Sequence, residues 1–227
     1  MKPFSNLTAL LQDGYSFQYD MPGYGIQNVR ISTHQIGELI LTSGKLVACD
    51  LLIVPDDRYF IKERLNPGRY PVFVSVADFY PAGDTRIACA ALCISGESTI
   101  KWKVATINEP DSEQEEERYS YGVDSGTGSF MDVDAAQIIA PLVWEQSGER
   151  DKFEEFCDRV LAEMQKNLFG EHGTANWANM RVSDSSETNI VTFSSGWGDG
   201  GYASFWGYDA SGKLTSLVTD FALFGEN

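Results

Sequence analysis

The closing stretch from Asn189 to Phe224, NIVTFSSGWGDGGYASFWGYDASGKLTSLVTDFALF, constrains the fold more than any other part of the chain. It alternates apolar and polar residues in short runs, broken by glycine-rich segments. Such runs are too short for helices and have the period of half-buried strands. The reading is a β-meander over 189–224. Its strands are Ile190 to Ser194, Tyr202 to Tyr208 and Leu214 to Phe221. Tyr202, Ser204, Trp206 and Tyr208 fall on one face of the second strand, and Ala203 and Phe205 on the other. Asp209-Ala210-Ser211-Gly212 is a hairpin signal. The Ser195 to Gly201 turn, with Trp197 and Asp199, either joins core strands or forms the lip of a site.

The same periodicity recurs upstream. Gly37 to Val54 reads as a hairpin turning at Ser43-Gly44, and Arg69 to Val76, Thr85 to Ser95 and Thr99 to Ile107 read as strands. Gly14 to Arg30 reads as a loop leading into the first of them. A brief helix is expected over Ser5 to Gln12, capped by Ser5. Asp134 to Trp144 reads as a helix that Pro141 kinks or ends. The clearest helix is Glu149 to Phe169, where Phe153, Phe156, Cys157, Val160, Leu161, Met164 and Leu168 make one apolar stripe and Gly170 a stop. The expected fold is α+β: mainly antiparallel sheet, as a sandwich or partly open barrel, with one long amphipathic helix and short ones. Residues 1–108 form a mostly β half and 119–227 a second half. Between them, residues 109–118 form an acidic loop or linker; one single domain is the alternative.

Charge narrows the function. Lys and Arg number 17 against 33 Asp and Glu, a formal net charge of -16. That field repels phosphate backbones, so nucleic acid is not an expected partner; it attracts basic proteins and also favours solubility. No apolar run reaches transmembrane length, and MKPFSNLTALLQDG lacks the features of a signal peptide, so a cytoplasmic protein with no membrane role is expected. Cys49, Cys89, Cys93 and Cys157 read as free thiols, since no second cysteine pair completes a metal site.

The second informative stretch is YGVDSGTGSFMD, Tyr121 to Asp132. Val123-Asp124-Ser125-Gly126-Thr127 matches the core of an aspartic-peptidase motif, but that chemistry needs a second copy and only a symmetric dimer would supply it. It also resembles the phosphate loop of the sugar-kinase and actin superfamily, at the wrong place in too short a chain. Asp124, Asp132 and Asp134 are candidate ligands for a hard cation, although Asp132 or Asp134 is better placed to cap the following helix. No cofactor is expected unless it is a divalent cation on those carboxylates. His34 and His172 are the only histidines and neither belongs to a nucleophile motif. One internal echo stands out: Ser43-Gly44 precedes Asp50 by the interval at which Ser125-Gly126 precedes Asp132. A duplication would put the two aspartates near a pseudo-twofold axis; the alternative, which two matching dipeptides favour, is coincidence.

Taken together, Ser43-Gly44 with Cys49-Asp50, Pro67-Gly68-Arg69-Tyr70-Pro71, YGVDSGTGSFMD and FSSGWGDGGYASFWGYDASGK resemble an uncharacterised bacterial family, DUF4241, over most of the chain. Leu51 departs from it, since proline is expected after the aspartate, and this puts the local turn in question. The resemblance carries no activity. It implies a bacterial soluble protein and singles out Asp50, Asp124, Asp132, Trp197, Asp199 and Asp220 for testing.

Two functions compete, beside a third reading as an interaction scaffold whose motifs are purely structural. One is a protein that acts by binding a basic partner, in the manner of an immunity protein facing a toxin. The other is a hydrolase or small-ligand or metal-binding protein whose catalytic groups are Asp124, Asp132 and Asp199. Ser125, Gly126, Thr127, Gly128, Trp197, Gly198 and Tyr202 would line its site. That reading requires the Ser195 to Gly201 turn to meet the Tyr121 to Asp132 loop.

Overall fold

A computed structural model describes residues 7–54, 60–108, 120–144, 150–171 and 173–224. Ser5, the acidic block 109–118 and His172 lie outside the described residues. The fold is α+β and dominated by antiparallel sheet that curls into a half-barrel.

The larger sheet runs in the order β1 (Ser16–Met21), β2 (Gly25–Leu41), β5 (Gly68–Tyr80), β6 (Asp84–Cys93), β15 (Leu214–Asp220), β14 (Gly200–Tyr208) and β7 (Lys101–Val104). Strand β9 (Ser120–Val123) also pairs with β14. The smaller sheet has the order β11 (Leu168–Phe169), β12 (Ala175–Arg181), β13 (Asn189–Ser194), β10 (Thr127–Asp132) and β3 (Leu46–Cys49). Two short strands, β4 (Phe60–Ile61) and β8 (Ile107–Asn108), pair separately. Strands from both sides of residues 109–118 share both sheets: β6 pairs with β15, and β3 with β10.

Three apolar layers follow from the two faces of each sheet. Val72, Val74, Leu92, Trp206 and Leu217 of the larger sheet meet Phe130, Ala175, Val191 and Phe193 of the smaller. The other face of the smaller sheet packs Met131, Ala178 and Ile190 against helices α2 (Val133–Trp144) and α3 (Arg150–Met164). The other face of the larger sheet packs Val29, Phe79, Phe205 and Val218 beneath helix α1 (Leu7–Leu10) and the segment holding Leu223 and Phe224. Strand β14 is buried on both faces, as its composition demands. Tyr202 and Trp206 face the inter-sheet core, and Ala203 and Phe205 the outer one. The Trp206 indole, fully buried, donates to Glu63 at 2.7 Å, which satisfies its one polar atom.

Several local expectations change. The closing meander is divided: β13 belongs to the smaller sheet, and β14 and β15 form a hairpin in the larger. Alternation marks strands but not which strand pairs with which, so the glycine-rich turn proves to be a crossing between sheets. The Gly37 to Val54 hairpin is corrected for the same reason: β2 pairs with β1 and β5, while β3 pairs with β10. Residues 14–30 form β1 and the start of β2. Pro141 lies within α2 and does not end it. Helix α3 stops at Met164, so Leu168 falls in β11, and Leu161 is exposed beside the buried Phe156, Val160 and Met164.

Candidate functional site

The site grows from the paired strands β3 and β10. Asp50 follows β3 and is fully buried. Its Oδ2 accepts the backbone N–H of Asp124 at 2.6 Å and of Ser125 at 2.8 Å. Its Oδ1 accepts the Ser125 hydroxyl at 2.5 Å and the Leu52 N–H at 2.7 Å. Ser125 Oγ also lies 2.6 Å from Thr127 Oγ1. A carboxylate can be buried when its lone pairs are all engaged in this way. The turn after Asp50 forms without the expected proline, with Leu51 buried against the helical layer.

Asp132 ends β10 and is also fully buried. Its Oδ2 accepts the Ser43 N–H at 3.1 Å, and its Oδ1 accepts the Ser43 hydroxyl at 2.7 Å and the Asp134 N–H at 2.9 Å. The last bond caps α2. Asp134 takes the Thr42 hydroxyl at 2.5 Å.

These two sets are one arrangement used twice. Ser43 corresponds to Ser125, Gly44 to Gly126, Asp50 to Asp132 and Leu52 to Asp134. Each aspartate binds the N–H and hydroxyl of the other segment's serine, and the N–H two residues beyond itself. Ala48 and Phe130 face each other at the centre, flanked by the related pairs Cys49–Ser129 and Val47–Met131. The echo in the sequence is therefore a local twofold exchange, and its axis passes through the Ala48–Phe130 pair.

The Ser195 to Gly201 turn does meet the Tyr121 to Asp132 loop. Ser195 N–H donates to the Gly126 carbonyl at 3.0 Å, β13 pairs Ser194 with Thr127, and β14 pairs Gly200 with Val123. Asp199 and Asp124 each lie one residue beyond that last pair, outside the strands, and both are exposed. Asp132 does not join them. It stands at the far end of β10, about 17 Å along an extended strand, with its oxygens engaged. Asp124, Asp132 and Asp134 likewise do not converge, and among the described residues no group of three or more His, Cys, Asp or Glu is placed to hold a metal.

Of the other site residues, Ser125 and Gly198 are half-buried at the turn, and Gly126 takes φ +67°. Thr127 and Tyr202 are buried, and a Cβ at Gly128 would lie 2.8 Å from the Tyr121 hydroxyl and 2.9 Å from Phe193. These three are interior packing. The Tyr202 hydroxyl closes the turn by donating to the Gly198 carbonyl at 2.7 Å, and burial raises its pKa. Burial also raises that of the Tyr121 hydroxyl, which is shut inside the core. Trp197 is 42% exposed, yet its ring lies 5.8 Å from Phe79 and under the Arg86 guanidinium at 5.0 Å. It therefore closes the outer aromatic cluster as well as facing solvent.

His34 packs its ring on Phe169 at 4.6 Å, and its Nε2 sits 2.9 Å from Ser32 Oγ. Burial pushes the Cys89 thiol up to about 12 and Cys157 up to about 11, the opposite of an activated thiolate. Asp220 is buried and its Oδ1 accepts the Ala222 N–H at 2.9 Å. Motif reasoning from chemistry alone did not find the weight carried by Asp50; the echo was the signal that could have.

Residues 39–219 match the model of a family described as protein of unknown function, DUF4241. The chain belongs to the DUF4241 family. No curated protein and no solved structure matches it. The matched span takes in β3, β10, both Ser-Gly turns and the Ser195 to Gly201 crossing, so the twofold exchange lies wholly within the DUF4241 region. Among the described residues no helix is long and apolar enough to cross a membrane.

Proposed function

We propose that this DUF4241 protein acts by binding and occupying a basic partner protein, as an immunity protein occupies its toxin. The reading is carried by where its charge goes. The net charge is -16, while Asp50 and Asp132 are turned inward and engaged. Other carboxylates face solvent: Asp151, Glu154, Glu155 and Asp158 on α3, interleaved with Lys152 and Arg159, and Asp124 and Asp199 at the crossing turn. A field of this sign accelerates encounter with a cationic protein and opposes wrong partners. The test is to purify the protein with the products of adjoining genes and measure affinity at low and high salt. The expected result is one basic partner whose affinity falls at least about tenfold on raising salt. Absence of a basic partner at either salt ends this reading.

A second reading keeps the exposed Asp124 and Asp199 as a small-ligand or divalent-cation site, favoured by their places one residue beyond the Gly200–Val123 pair, beside a glycine-rich turn. Here magnesium or manganese at about a hundredfold excess over Kd would stabilise the protein by about 2.7 kcal/mol in a thermal-shift assay. Asp124→Asn and Asp199→Asn would each remove the shift. An unchanged melting curve with both metals would dispose of the idea.

A further inference from the structure

The larger sheet is longer than the layer that covers it. Register places Arg30 opposite Asp78, Ser32 opposite Val76 and His34 opposite Val74, so these positions share one face. At the inner end that face is core: Val74 and Val76 are buried and His34 carries Phe169. At the outer end the same face emerges uncovered. Gln18, Ile26, Asn28, Arg30, Asp78 and Tyr80 are all exposed, and the Gln18, Asn28, Arg30, Asp78 and Tyr80 positions line a shallow groove.

Three features set this ledge apart. Of the exposed large hydrophobics, Tyr24 (68%), Ile26 (66%) and Tyr80 (71%) gather at its tip. The tip is held rigid by Gln27, only 2% exposed, whose side chain donates to the Tyr24 carbonyl at 2.9 Å and accepts the Ala82 N–H at 2.8 Å. That tie fixes the β1–β2 turn to the turn after Tyr80, so an arriving surface has little to order. Its carboxylates outnumber its cation: Asp20 stands opposite Ile26, and Asp78 opposite Arg30.

We infer that this ledge is the docking surface for the basic partner, with Ile26 and Tyr80 as apolar anchors and Asp20 and Asp78 receiving its Lys or Arg side chains. The inference rests on the partner-binding reading and gives it an address. Charge complementarity selects the occupant: a second copy would bring another -16 against the first.

The experiment places a photoreactive benzophenone amino acid at position 26 or 80, with controls at Leu168 and Ile100, both exposed. Irradiation is done in cells that express the full chain, and adducts are identified by mass. The expected result is one basic protein joined at 26 and 80 and absent from the controls. With that protein purified, Ile26→Asp and Tyr80→Ala each weaken binding at least about thirtyfold, while Leu168→Asp leaves it unchanged. Melting curves of the variants match the parent, since both side chains are exposed. Adducts confined to the controls overturn the ledge and leave partner binding standing. Adducts nowhere overturn the ledge, and the salt-dependent purification decides partner binding separately. An adduct at 26 or 80 whose protein is acidic, or whose affinity ignores both substitutions, also overturns the ledge.

Discussion

Asp50→Ala is expected to destabilise the protein by about 4 kcal/mol, lowering Tm by about 10 °C in a chain of this size. The substitution strands the N–H groups of Leu52, Asp124 and Ser125 and the Ser125 hydroxyl, all of which converge on this one carboxylate. Water cannot readily replace it, because Asp50 is fully buried. Asp50→Asn would fall between, since an amide keeps one acceptor oxygen but turns an N–H pair toward existing donors. Asp132→Ala would cost a similar amount, because it removes the twofold-related bonds and the α2 cap together. Asp124→Ala provides the contrast. Its carboxylate is exposed, and only its backbone is held by Asp50, so the change should stay within about 0.5 kcal/mol. Denaturant unfolding of the four variants checks the ranking. If Asp124→Ala proved as damaging as Asp50→Ala, the division between buried scaffold and exposed rim would be wrong.

That ranking bears on function. Motif reading drew Asp124, Asp132 and Asp199 into one catalytic group because residue type and proximity in sequence were the only guides. The structure divides them between an internal brace and an exposed turn. The brace appears twice, at Asp50–Ser125 and Asp132–Ser43, and one copy caps a helix. A geometry repeated in this way serves the architecture, which leaves Asp124 and Asp199 as the carboxylates of the motif that a ligand or partner can reach.

What was legible follows the range of each physical signal. Period-two alternation identifies β5, β6, β13, β14 and β15, and it sorts the residues of β14 onto their two faces. Helices α2 and α3 followed from their apolar spacing. Strand partners did not follow. Crossing from one sheet to the other at Ser43-Gly44 and at Ser195 to Gly201 leaves alternation on either side intact, so each crossing looks like a hairpin turn. Asp50 is legible through the family resemblance and its echo, not through local chemistry. A buried carboxylate that binds backbone N–H groups 74 and 75 residues away has no local pattern to announce it.

The twofold exchange is local, and its glycines measure where it breaks. Gly44 and Gly126 both adopt positive φ, +74° and +67°, so an alanine at either place meets the backbone cost of the left-handed region, about 1 kcal/mol. Their surroundings differ. A Cβ at Gly44 would lie 2.1 Å from the carbonyl oxygen of Leu65, a backbone atom, and Gly44 N and O belong to a packed loop in which Leu65 N–H donates to the Gly44 carbonyl at 3.0 Å. A Cβ at Gly126 meets only the Gly198 Cα, at 3.9 Å. Gly44→Ala is therefore expected to cost at least about 3 kcal/mol, by combining strain with displacement of the 65–66 backbone. Gly126→Ala should cost only the conformational share. Urea unfolding of the two variants, with m-values compared, would detect the difference, and equal losses would mean that the two turns are packed alike. The asymmetry has a reason in the fold. The Ser43-Gly44 copy is enclosed by the loop before β5, whereas the Ser125-Gly126 copy faces the Trp197 turn and the exposed pair Asp124 and Asp199. The same brace thus secures the interior at one end and presents a rigid, solvent-facing rim at the other.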